Sequence, residues 1–432
     1  MTLVTGIKRL DVTPPLGCFL AGYAARTAGS TGVYHPLTGT VVAFGDGETD
    51  ALVVSLEWLG FYDLTSPTRA MLSRATGVPE DHILLTGTHT HCGPAMRALD
   101  ARRHGPGTLD QTYLTDIQRK LVDAAVEAME DRQPVTLSTA STSCGFAASR
   151  RKPDGEGGVL WEPSLEAPHD HEVPIVVARN THGDPKLVLF SYACHPTSTG
   201  AILEIGGDYP GFAISEIEEQ IPGCTALFVK GCGGDQKPNF EDPVTSGFRK
   251  ASIDEVRANG RDLANAVLSA VRTPSAKQVD GKLSIRSETV EIVSAPLDLS
   301  DVERFSGSTN AMERTWAEHY QGVHEVARDE RIVQMEVQSI TVGDDLAIVT
   351  MAGEMSVEYG LRTKRELRGA FTRVIPLGYA NEIVGYVPVE RQIPEGGYEV
   401  LNNQRALLRT GPFESGTEEA IMRAVHQTVG LA

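Results

Sequence analysis

The chain has 432 residues, 41% of them hydrophobic and 22% charged, which is enough apolar material to bury a large core. Its 39 basic and 57 acidic residues leave a formal charge of −18, which argues against binding nucleic acid or an anionic membrane through a basic field. No apolar run approaches the ~20 residues of a membrane span, and Met1–Arg9 lacks the basic and apolar regions of a signal peptide, so a cytoplasmic protein without stable membrane association is expected.

Apolar runs and helical periods alternate along the chain. Strands are expected at Val41–Phe44 and Ala51–Leu56, a helix at Pro67–Thr76 and a strand at Ile83–Thr86. A helix over Tyr113–Glu130 follows, with Leu114, Ile117, Leu121, Ala124, Ala125 and Ala128 at the helical period. Strands at Val135–Ser138, Pro174–Arg179 and Leu187–Tyr192 lead to a helix at Gly211–Gln220 and a strand at Ala226–Val229. In the next helix, Ile253–Arg272, the residues Ile253, Val256, Leu263, Val267 and Val271 share one face. The remainder reads as strands at Leu283–Val293, Met335–Val342, Leu346–Met351 and Arg373–Leu377, with helices at Ala311–Asp329, Val357–Arg368 and Thr417–Val429. Residues 95–112 and 148–172, rich in Arg, Gly, Asp and Pro, read as long surface loops beside a substrate entrance. There is no internal repeat. This interleaving predicts an α/β fold of mixed β-sheets flanked by helices, in one domain over residues 1–432, with 294–310 as the place where two lobes would divide.

Several apolar runs end in residues that carry chemistry. Ile83–Thr86 runs into His89-Thr90-His91, where an extended backbone would send both imidazoles out on one face and Thr90 the other way. Leu187–Tyr192 runs into His195, Ala226–Val229 into the glycine-rich turn Gly231–Asp235, and Leu346–Met351 into Glu354. Carboxyl ends of strands in an α/β sheet converge on one edge. Histidines and a carboxylate meeting there suit Zn²⁺, with a water in its open position as nucleophile. A structural histidine is the plain alternative for each residue taken alone. Asp208, Asp235 and Glu57 are candidates to fix a histidine tautomer, and turn or cap formation suits them equally. His169 and His171 fall in a polar loop, and His35, His82, His104, His182, His319, His324 and His426 stand alone. None of the six cysteines forms a CxxC pair, so a thiolate zinc cluster has no support, and buried reduced thiols are expected at Cys92 and Cys194.

These motifs resemble the neutral, non-lysosomal ceramidase family. Gly87–Pro94 is similar to its GTHTHSGP signature, with Cys92 in place of the serine. Cys194–Ser198, Gly207–Gly211, Gly353-Glu354 and Tyr379–Val387 are similar to further segments in the same order, as is the opening Asp11–Gly17. The resemblance implies the ceramidase catalytic-domain fold, with one Zn²⁺ held by His89, His195, Glu354 and Tyr386. It implies that His91 lies beside the ion, that Arg150 holds a substrate carbonyl or carboxylate, and that Tyr398 donates to an oxyanion. One departure stands out: Lys237 replaces the family's serine in Gly234–Asn239, where it would bind an anionic group of the substrate or face away. The C-terminal β-sandwich of ceramidases is expected to be missing.

The expected activity is therefore zinc-dependent hydrolysis of an amide in a soluble, polar or acidic small molecule, by an enzyme whose assembly into a homo-oligomer stays open. A true ceramidase, an ester or lactone hydrolase on the same site, and a non-catalytic metal-binding relative are the rivals. No GxGxxG motif follows a strand, which leaves nicotinamide and flavin enzymes without support.

Overall fold

The computed structural model describes residues 2–97, 99–100, 108–273 and 277–431. His104 and part of the first expected loop fall outside them. The described chain is carried by three larger sheets, each antiparallel except for one parallel pair at its edge. The first runs in the order Ile83–Gly87, Asp50–Leu56, Thr38–Gly45, Val4–Asp11 and Gln133–Pro134, with the first two parallel. The second runs Thr225–Lys230, Pro185–Tyr192, Glu172–Arg179, Thr136–Ser143 and Lys277–Val279, again with the first two parallel. The third runs Leu283–Val293, Ile332–Val342, Leu346–Met351 and Arg373–Leu377, with the last two parallel.

A parallel pair cannot be closed by a tight turn, so a helix bridges each one: Thr65–Thr76, Asp208–Gln220 and Val357–Leu367. These helices cover the outer faces of the sheets together with Gln111–Glu130, Ile253–Arg272 and Thr417–Thr428. The inner faces share a single apolar core. Val42, Val53 and Leu84 reach it from the first sheet, Val176, Leu189 and Leu227 from the second, and Ile340, Ile348 and Ile375 from the third. Strands buried on both faces have no polar side to alternate with, which is why they stand out as unbroken apolar runs. The carboxyl ends of the three parallel edges abut, through bridges between Thr86 and Ala380 and between Gly231 and Leu377.

Some expectations are corrected. Val4–Asp11 is a strand paired along its length with Thr38–Gly45, although Lys8 and Arg9 interrupt its apolar pattern. The helix from Ala311 ends at Tyr320, short of Asp329, where Gly322 takes a φ of +80°. Residues 294–310 contain the helix Leu299–Ser306, whose Phe305 packs on Trp316. The stretch 148–172 is not wholly a surface loop. Ala147–Ser149 pairs with Gln236–Pro238, and this buries Ser149, Arg150 and Arg151.

Candidate metal centre

Each parallel edge delivers one residue to a common point: His89 after Ile83–Gly87, His195 after Pro185–Tyr192 and Glu354 after Leu346–Met351. The two histidines do not leave an extended strand as expected. His89 has a φ of +68°, a left-handed conformation that non-glycine residues adopt at a cost. Its amide is held by the Trp58 carbonyl at 2.9 Å, and the turn that follows brings the His91 ring to 5.0 Å from the His89 ring. Thr90 does point elsewhere, donating to the Gly206 carbonyl.

Backbone carbonyls fix the tautomers. His89 Nδ1 lies 2.6 Å from the Leu59 oxygen, and His195 Nδ1 lies 2.8 Å from the Gly233 oxygen and 3.1 Å from that of Gln236. A carbonyl only accepts, so both Nδ1 atoms carry the proton and both Nε2 atoms present lone pairs. Burial pushes His89 below its ordinary pKa and His195 well below, so the rings are neutral at pH 7. The carboxylates that are candidates for this work, with turn or cap formation as the equal alternative, accept from other groups. Asp208 accepts from the Ser198 and Tyr209 amides, Glu57 accepts from the Thr38 amide and hydroxyl, and Asp235 accepts from the Val357 amide and Gln392.

The two lone pairs face the same atom. Glu354 Oε2 lies 3.4 Å from His89 Nε2 and 3.2 Å from His195 Nε2. Tyr386 reaches this point because Glu354–Met355 and Tyr386–Val387 pair in parallel, with Glu354 opposite Tyr386. Its hydroxyl is 3.0 Å from His195 Nε2. The side-chain nitrogens of His89, His91 and His195 also lie within 4.8 Å of one another, a donor set that could hold a metal ion. The shorter distances to Glu354 favour His89, His195 and Glu354 as the inner set, with His91 beside it. Both ring nitrogens of His91 are buried without a hydrogen-bond partner.

Arg150 and Tyr398 flank Tyr386. The Arg150 guanidinium lies 5.1 Å from the Tyr386 ring centre and 5.4 Å from that of Tyr398, and Trp161 covers it at 4.5 Å. Arg150 Nε donates to Glu399 at 2.7 Å, while its Nη2 is buried without a partner. Lys237 is not brought to the inner set. It is half-buried, with its ammonium 4.9 Å from the Phe248 ring centre, and burial pushes it down to about 8. A cleft of about 250 Å³ opens onto the site, and its lining includes His89, His91, Glu354, Tyr386 and Tyr398 together with Tyr62, Arg97 and Glu382.

Two residues at the site escaped sequence reasoning. Tyr379 is fully buried, with its hydroxyl 3.3 Å from His195 Nε2 and its ring 4.4 Å from that of His89. Lys230, also fully buried, stands 4.3 Å from the Tyr379 ring centre. Tyr379 follows the apolar run Arg373–Leu377, so the rule that singled out His195 and Glu354 would have found it. Three histidines away from the site have structural partners: His171 holds the Ala147 carbonyl, His35 the Ser215 hydroxyl and His426 the Glu366 carboxylate.

No family model matches the chain. It is 25% identical over 260 residues to a neutral ceramidase of Mycobacterium tuberculosis, a match covering 53% of this chain and 39% of that protein. It is 25% identical over 200 residues to neutral ceramidase B of Dictyostelium discoideum, covering 42% of this chain and 27% of that one. These matches thus span less than half the length of either relative. Among solved structures, neutral ceramidase from Pseudomonas aeruginosa superposes on the whole chain with a TM-score of 0.75 at 18% identity, covering 74% of that chain. A ceramidase complexed with C2 gives 0.76 at 17% identity over 99% of this chain and 75% of that one. The chain resembles neutral ceramidases in sequence as a divergent relative, and it has their fold.

Proposed function

We propose that this chain is a zinc-dependent hydrolase that cleaves an amide (N-acyl) bond of a small, polar molecule. The observation that carries the reading is the meeting of two imidazole lone pairs and a carboxylate oxygen at 3.2–3.4 Å in a buried site. Acceptors brought that close repel one another unless a cation lies among them. Nitrogen and oxygen donors of this kind suit Zn²⁺, which His89, His195, Glu354 and Tyr386 would hold. When bound, the ion would polarise a substrate carbonyl and lower the pKa of a hydrolytic water toward neutrality.

The chain's own residues supply the rest. His91, with both ring nitrogens unengaged, takes the proton of the attacking water or donates to the developing oxyanion. Arg150 Nη2 and the Tyr398 hydroxyl orient the carbonyl or an acidic group of the substrate. Lys237 is given no part in the reaction, since its ammonium packs on Phe248. A cleft of about 250 Å³ lies below the ~300–1,000 Å³ usual for small-molecule sites, which supports a compact substrate over a two-chain lipid. No helix among the described residues is long and apolar enough to cross a membrane, and the six cysteines are free, as suits a cytoplasmic protein. Nucleic acid and stable membrane partners have no place in this reading.

The test is metal content by mass spectrometry on protein purified without a metal-affinity tag. Wild type should carry about one zinc per chain, and folded His89→Ala and His195→Ala should carry none and have no activity. A set of N-acyl compounds of rising chain length, ceramide in micelles and matched esters then identifies the bond. Short polar amides should turn over best. Folded wild type without stoichiometric metal would sink the proposal.

A further inference from the structure

The inner set contains one phenol more than a single-tyrosine site needs. Tyr379 and Tyr386 place their hydroxyls 3.3 and 3.0 Å from the same atom, His195 Nε2. That nitrogen has one lone pair, because its Nδ1 donates to the Gly233 and Gln236 carbonyls. At most one of the two phenols can donate to it. Donor atoms bound at 2.0–2.2 Å around one four- or five-coordinate zinc ion are separated by an edge of about 3–3.6 Å. The spacings of both phenol oxygens from His195 Nε2 match that edge, as do the 3.2 and 3.4 Å of Glu354 from the two imidazoles.

A second observation concerns Lys230. Its ammonium is wholly buried, and among the described residues no carboxylate forms an ion pair with it. Its neighbours are the Gly231 carbonyl at 3.3 Å and the face of Tyr379 at 4.3 Å. A buried cation is costly unless negative charge compensates it. The face of a neutral ring offers only a partial remedy, whereas a ring whose oxygen is bound to a cation as phenolate offers a full negative charge.

We propose that Tyr379 contributes its phenol oxygen to the metal alongside Tyr386, and that Lys230 is a positioning residue whose charge compensates the Tyr379 ring. This rests on the metal reading above and extends it to residues outside the expected set of ligands.

The test uses the full chain, freed of metal and titrated with Cu²⁺, whose phenolate complexes absorb in the visible, and separately with Zn²⁺ by calorimetry. Wild type should bind one Cu²⁺ with a phenolate-to-copper band. Tyr379→Phe should lose about half of the band and bind zinc ~10–100-fold more weakly. Lys230→Met keeps both phenols and should shift the band to longer wavelength, because removing the cation raises the energy of the phenolate electrons. This second variant covers the case in which Tyr379→Phe fails to fold by near-ultraviolet circular dichroism. If Tyr379→Phe keeps the full band and affinity while Tyr386→Phe loses them, or if the band of Lys230→Met does not move, the proposal is overturned and the metal site stands. If folded wild type binds neither ion, the metal reading falls first.

Discussion

A methyl group at position 22 would strike the His91 ring: the ideal Cβ lies 2.2 Å from His91 Nδ1, at a φ of +90° that favours glycine. The absence of a side chain at Gly22 therefore leaves the room that the His91 ring occupies beside the site. Arg26 holds the same loop from behind, donating to the His91 carbonyl at 2.7 Å and to that of Ala21 at 2.6 Å. Gly22→Ala is expected to displace His91 while leaving His89, His195 and Glu354 in place. Displacements of about 1 Å at a reacting group cost ~10²-fold in rate. The expected result is a fall of that size in kcat/KM with the metal content kept. Loss of metal in a folded Gly22→Ala protein would instead place His91 among the ligands.

At the scale of elements, the site depends on a contact between two crossover units. Asp235, in the glycine-rich turn after Thr225–Lys230, accepts from the Val357 amide at 2.9 Å and so caps the helix that follows Glu354. The same turn supplies the Gly233 and Gln236 carbonyls that set the His195 tautomer. Removing a cap of this kind costs about 1 kcal/mol, with more for a carboxylate at a helix N-terminus. Asp235→Ala should lower the unfolding free energy by ~1–2 kcal/mol in urea and also weaken zinc binding, whereas a cap without a link to the site would lower stability alone. This arrangement also shows what could be read beforehand. Ile83–Thr86, Leu187–Tyr192 and Leu346–Met351 stand out because burial on both faces leaves no polar alternation, and the candidate ligands His89, His195 and Glu354 follow within three residues of each. The tautomer-setting groups at Leu59, Gly233 and Gln236 are carbonyls, which every residue carries, so no residue type marks them. The left-handed turn at His89 is equally silent, since no Gly, Asn or Asp stands at that position. Asp235 was legible as either acceptor or cap, and packing between units chose the cap.

Across the whole molecule, the three sheets share one core and each gives one residue to the inner set: His89 from the first, His195 from the second and Glu354 from the third. An ion bound there would add a further tie between parts of the chain already joined by apolar packing, by bridges such as Thr86 with Ala380, and by polar contacts such as Ser55 with the Phe228 carbonyl and Arg373 with Glu172. Binding that is confined to the folded state stabilises it by about 2.7 kcal/mol when free metal is 100 times Kd. For a chain of this size that corresponds to a few degrees of Tm. Scanning calorimetry with and without chelator should therefore show one transition that moves as a whole. Because the ligands come from all three sheets, no sheet can unfold while the ion stays bound, so the shift must appear in every probe of unfolding. If the transition splits on chelation, with one component unmoved, then the shared core does not couple the sheets and the ion is their principal link.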